Sequence, residues 1–135
     1  MENKKRSKTA IFRKFMYAIN GFIISLKEEK SLVIHLSFAI ISLIIAVILQ
    51  LSPIGWAILV LTIGLVISSE LMNTAIENVV DIVTFKFNYS AKKIKDVAAA
   101  ATLILAVIAI VVGLLLFIPR IISFAQHGYG YKGWS

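Results

Sequence analysis

The sequence predicts an all-α membrane protein: an N-terminal amphipathic helix lying in the bilayer interface, followed by three transmembrane helices. Three observations carry this. Hydrophobic residues make up 59% of the 135 residues and mean hydropathy is +0.91, whereas soluble domains are near half apolar. Apolar runs over 31–50, 54–85 and 97–118 each reach the roughly 20 residues that a crossing helix needs. Most charges lie at the margins of those runs. The whole chain, 1–135, reads as a single domain.

The first element is 9–27. Its apolar residues Ile11, Phe12, Phe15, Ile19, Phe22, Ile23 and Leu26 recur at spacings of three and four, with Arg13, Lys14 and Asn20 mostly off that face. This is the pattern of a helix lying in the interface. The first span, 31–50, begins too late for a signal peptide and has no small-residue cleavage site after it, so it is expected to be retained. An uncharged turn over 51–55 follows, with Pro53 placed to open the next helix. The second span, 54–85, would measure about 48 Å at 1.5 Å per residue, against a hydrocarbon core of about 30 Å. Its end must project past the hydrocarbon. A basic loop is expected over 86–96, then a third span over 97–118 stopped by Pro119, and a turn-rich aromatic tail over 119–135.

Charge sets the orientation. Of the 14 basic residues, all but Arg120 and Lys132 fall in the N-terminal segment or in 86–96. The excess of basic residues in cytoplasmic segments places the N-terminus and the 86–96 loop inside, in the cytoplasm, and the tail outside. A nucleic-acid partner is not needed to explain this charge. All 7 acidic residues also fall on the inner side, so any chemistry belongs at the cytoplasmic leaflet, where ATP and magnesium are available. The chain has no cysteine, which excludes disulfides and thiolate metal sites.

Glu70, Asn73 and Glu77 stand at i, i+3 and i+7, with Asp81 four residues further on. On a helix they share one face. Ionisable residues in a span are costly and functional by default, and like charges on one face repel unless a cation lies among them. The stripe therefore reads as a Mg²⁺ site, an ion that prefers oxygen ligands and shares them with substrate phosphates. Helix–helix adhesion is the competing explanation for such a stripe, but carboxylates without cations serve it poorly. Glu28 and Glu29 read equally as interface anchors paired with Lys27 and Lys30, and Asp96 equally as a helix cap. His35, at the entrance of the first span, reads as a structural histidine. Gly128, Gly130 and Gly133 spell a G-x-G-x-x-G without strand or helix around it, which carries no nucleotide site. There is no Walker loop.

The strings ELMNTAIENVVD (70–81), AKKIKD (91–96) and VAAAATLIL (97–105) resemble the prokaryotic diacylglycerol kinase family of small membrane lipid kinases. The likeness covers about residues 10–118. EEKSLVIHL (28–36) looks like its Gram-positive branch, where a glutamate precedes a histidine by some six residues and which is associated with undecaprenol kinase activity. The resemblance implies Mg-ATP-dependent phosphorylation of a membrane lipid hydroxyl, most simply undecaprenol to undecaprenyl phosphate, with diacylglycerol as the alternative substrate. It implies a homotrimer with shared active sites.

Carried over by position, the resemblance makes Glu70 the general base with Asn73 beside it, and Glu29 and Glu77 the Mg²⁺ ligands. Tyr17, Glu29, Glu77, Lys86, Asn88, Lys95 and Asp96 would line the nucleotide, with Asp81 in support. Asn88 stands where the family often has histidine, Ser31 and Val33 where Asn and Arg are common, and Ala100 where the Gram-positive branch often has Gly. A proton- or cation-coupled transporter subunit is the more distant alternative. It would place a carboxylate near mid-bilayer and connect both faces, whereas every acid here is on one side.

Overall fold

The computed structural model of the chain describes residues 2–84 and 88–128, with side chains described from residue 11 onward except at 127. Four helices make up the described residues: α1 (Glu2–Glu28), α2 (Lys30–Ile48), α3 (Pro53–Val83) and α4 (Tyr89–His127). The last three are long and apolar enough to cross a membrane. This is the all-α architecture that the sequence predicts.

The helix ends follow local chemistry. α1 and α2 are separated by Glu29 alone, in an extended conformation (φ −107°, ψ 107°) with its side chain making no capping bond. α2 closes in a Schellman motif: Leu51 N–H donates to the Ala46 carbonyl at 3.1 Å and Gln50 N–H to the Val47 carbonyl at 3.2 Å. That motif needs a left-handed residue, and Gln50 supplies it at φ 51°. α3 opens with Ser52 as its cap, the hydroxyl accepting from Gly55 N–H at 3.2 Å, and Pro53 occupies the first turn as expected. A Cβ on Gly55 would lie 3.3 Å from the Leu51 side chain, so the turn is packed closely there.

Three expectations change. α1 begins at Glu2, ahead of the expected start at residue 9. The basic segment is mostly helix, because α4 begins at Tyr89. Asn88 is the cap, its side-chain oxygen accepting from Ser90 N–H at 2.8 Å and Ala91 N–H at 3.4 Å. Asp96 therefore lies inside the helix and caps nothing. Finally, Pro119 does not stop the third span, since α4 runs through it to His127. Proline removes one N–H and crowds the preceding turn, but a helix in apolar surroundings has no better partner for its remaining backbone groups than itself.

α3 packs mainly on α4, with α2 more loosely against α3 and α1 touching α2 and α3. At the turn end, Ala46, Leu51 and Leu59 form a buried apolar cluster with Trp56 and Phe117 against it. Towards the other end of α3 the buried residues become polar: Glu70, Thr74 and, from α4, Thr102 beside the small Ala98. Small residues let two helices approach, and polar ones bond across them. Thr102 Oγ1 donates to the Ser69 carbonyl at 3.3 Å. Much of the remaining apolar surface is exposed, on α1 (Phe12, Phe15, Ile19) as on the three long helices.

Candidate active site

The stripe on α3 is graded from buried to wet. Glu70 is the innermost group, its side chain only 5% exposed. Ser31 Oγ on α2 donates a hydrogen bond to its Oε1. His35, one turn further along α2, places Nε2 3.9 Å from Oε2. One turn from Glu70, Asn73 Nδ2 donates to Glu77 Oε1 at 3.0 Å. The other end of that amide, Asn73 Oδ1, is buried and has no partner. At the outer end Asp81, 64% exposed, is ion-paired with Lys95 of α4. From Glu70 to Asp81 the stripe rises about 16 Å along the helix.

The expected site residues are thus partly gathered. Glu70, Asn73, Glu77, Asp81 and Lys95 form one continuous polar edge where α3 meets α2 and α4. Glu29 sits half-buried at the α1–α2 break, and among the described residues neither it nor Glu28 is ion-paired, so the expected anchoring by Lys27 and Lys30 is absent. Tyr17 is exposed on α1, Asp96 is exposed on α4, and Asn88 has its side-chain oxygen engaged as a helix cap. Lys86 lies outside the described residues. Among the described residues no three His, Asp or Glu side chains converge as a metal cage. Among the outer carboxylates, Lys95 offsets the charge of Asp81.

Two residues beside Glu70 were not singled out as functional by sequence reasoning. Ser31 stood out only as a departure from a family pattern, and His35 read as structural. Their spacing of four was the available signal, since it puts both on one face of α2. Beyond His35 an apolar groove of about 560 Å³ runs between α2, α3 and α4, past Phe38, Val66 and Ala106 to Ile121. Among the described residues of its lining, His35 is the one ionisable side chain.

A buried carboxylate at the head of an apolar groove, with an exposed lysine–aspartate pair further along the same helix, suits a reaction between an apolar molecule and a water-soluble anion. Comparison with known proteins agrees. The chain is 40% identical to the undecaprenol kinase of Bacillus subtilis over 110 residues, covering 82% of this chain and 89% of that one. It is 37% identical to a diacylglycerol kinase of Synechocystis over 110 residues, covering 81% of this chain and 63% of that one. It is 32% identical to a diacylglycerol kinase of Helicobacter pylori over 94 residues, covering 70% and 73%. No solved structure matches the chain significantly. Residues 16–117 match the prokaryotic diacylglycerol kinase family, and with the α3 stripe inside that match the chain belongs to this family of membrane lipid kinases.

Proposed function

We propose that the protein transfers the γ-phosphoryl group of ATP to the hydroxyl of a membrane lipid, with undecaprenol as the acceptor and undecaprenyl phosphate as the product. The observation that carries this reading is the gradient along α3. Glu70 is buried beside the apolar groove, and the Lys95–Asp81 pair is exposed at the other end of the stripe. In the reaction, Glu70 accepts the proton of the lipid hydroxyl. The hydroxyl oxygen forms a bond to the γ-phosphorus as the bond from that phosphorus to the β–γ bridging oxygen breaks, and ADP leaves with the electron pair. Phosphoryl transfer asks the protein chiefly for positioning and charge stabilisation. Lys95 supplies positive charge towards the phosphates, and Asp96, Asn88 and Tyr17 complete the nucleotide's surroundings.

The residues present fit Mg²⁺. Glu29 and Glu77 offer carboxylate oxygens, and the unpartnered Asn73 Oδ1 is a further oxygen donor of the kind this ion takes. When bound, the ion supplies charge neutralisation at the phosphate oxygens. In a homotrimer with shared sites, a second subunit would supply groups that one chain does not bring together. The distribution of basic residues supports an orientation with the N-terminus and the site cytoplasmic and the C-terminus outside.

The name of the Bacillus subtilis relative favours undecaprenol, and those of the Synechocystis and Helicobacter relatives favour diacylglycerol as the second reading. The test is purified protein with MgATP and each lipid offered separately, measuring phosphorylated lipid, with Glu70→Gln as the control. Faster transfer to undecaprenol, lost in the variant, is the expected result. Preference for diacylglycerol keeps the mechanism and changes the substrate. No transfer to either by folded protein overturns the kinase reading.

A further inference from the structure

We propose that Ser31 and His35 act as a two-point clamp from α2 that positions the Glu70 carboxylate, leaving Oε2 as the oxygen that takes the proton and holding it at the head of the apolar groove. This rests on the reading of Glu70 as the general base. A nearly buried carboxylate needs polar partners, and among the described residues Glu70 has two, both from α2. They do different things. The Ser31 hydroxyl donates to Oε1 and so occupies one lone pair of that oxygen and lowers its basicity. An oxygen already accepting such a bond is the poorer proton acceptor. The His35 Nε2 lies 3.9 Å from Oε2, too far for a hydrogen bond but close enough to attract and orient it. Oε2 therefore keeps a free lone pair.

The second observation is independent of the first. His35 lines the apolar groove, whereas neither Glu70 nor Ser31 does. A lipid whose chain lies along the groove would bring its polar end to His35, and Oε2 lies 3.9 Å from the Nε2 of that ring. His35 is thus the boundary between the chain's path and the base. The spacing of four residues puts both clamp members on one face of α2, so a single helix face sets which carboxylate oxygen is used.

The experiment compares Ser31→Ala, His35→Leu and His35→Gln with Glu70→Gln in steady-state phosphorylation of the preferred lipid, varying ATP and lipid in turn. A thermal unfolding midpoint is measured for each. The expected result is a fall in kcat of about tenfold or more for His35→Leu with KM for ATP unchanged, a smaller fall for Ser31→Ala, and substantial recovery in His35→Gln, which restores an N–H donor. Unchanged unfolding midpoints would accompany this, separating positioning from packing. If His35→Leu does not fold, Ser31→Ala and His35→Gln decide: the proposal then requires reduced kcat in the first and near-normal kcat in the second. Wild-type kcat in both Ser31→Ala and His35→Leu, with Glu70→Gln inactive, overturns the clamp while leaving the base in place. A Gln variant no better than Leu overturns it as well. An active Glu70→Gln overturns the underlying reading instead.

Discussion

Lys95 and Asp81 meet across the corner between α3 and α4, the Lys95 Nζ standing 2.7 Å from one carboxylate oxygen of Asp81 and 2.9 Å from the other. The pair fixes the direction of a lysine that would otherwise range freely. Asp81→Asn is expected to leave the unfolding midpoint nearly unchanged, because an exposed pair contributes little stability. It should raise KM for ATP several-fold by releasing Lys95 from its place beside the stripe. Initial rates against ATP concentration check this, and an unchanged KM would remove Lys95 orientation from the account of nucleotide binding.

Asn88 has two claims on it, as the cap of α4 and as a neighbour of the nucleotide. They separate by substitution. Asn88→Ala should cost about 1 kcal/mol of stability through loss of the cap. Asn88→Asp keeps a capping oxygen and should retain stability, while its new negative charge raises KM for ATP. Thermal unfolding and ATP titration of the same two proteins give both answers.

Gln50 occupies a left-handed backbone position at φ 51°. An ordinary residue there carries a strain of roughly 1–2 kcal/mol, while glycine forfeits about 0.5–1 kcal/mol of chain entropy. Gln50→Gly should therefore stabilise the protein by roughly 0.5–1 kcal/mol, read as a higher unfolding midpoint in detergent with activity unchanged. A lower midpoint would mean that the Gln50 side chain contributes more than its backbone costs.

Leu59 is buried at 4% exposure in the apolar cluster that ties the α2–α3 turn to α4. Leu59→Ala should destabilise by about 2–5 kcal/mol, combining lost transfer energy with a cavity. The expected readout is a clear drop in unfolding midpoint, with KM for ATP unchanged because the stripe lies at the other end of α3, and with KM for the lipid raised because Leu59 also lines the apolar groove.

The span structure and the stripe were legible in the sequence because both rest on periodicity. Apolar runs fix which helices cross, and polar residues at i, i+3, i+7 and i+11 share a face whatever packs against it. What escaped was set by contact between helices. Nothing in α2 alone says that Ser31 and His35 meet Glu70, since that depends on how α2 docks on α3. Helix ends were legible where a strong local signal stood alone, as at Ser52–Pro53. They were misread where two signals competed: Asn88 outbid Asp96 for the α4 cap, and Pro119 failed to stop a helix whose surroundings offer its backbone no alternative.

That unbroken helix has a mechanical consequence. Pro119 has no N–H to give to the carbonyl of Leu115, so α4 carries one missing rung about 35 Å from Asp96 at 1.5 Å per residue. A helix bends most easily where a rung is missing. When the bilayer is thinner or thicker than the spans prefer, the segment beyond Pro119 can tilt to absorb the mismatch, and the half of α4 that holds Lys95 against Asp81 keeps its place. Turnover should then vary little between vesicles of short-chain and long-chain lipids, the protein having placed its compliance at the end where no chemistry occurs.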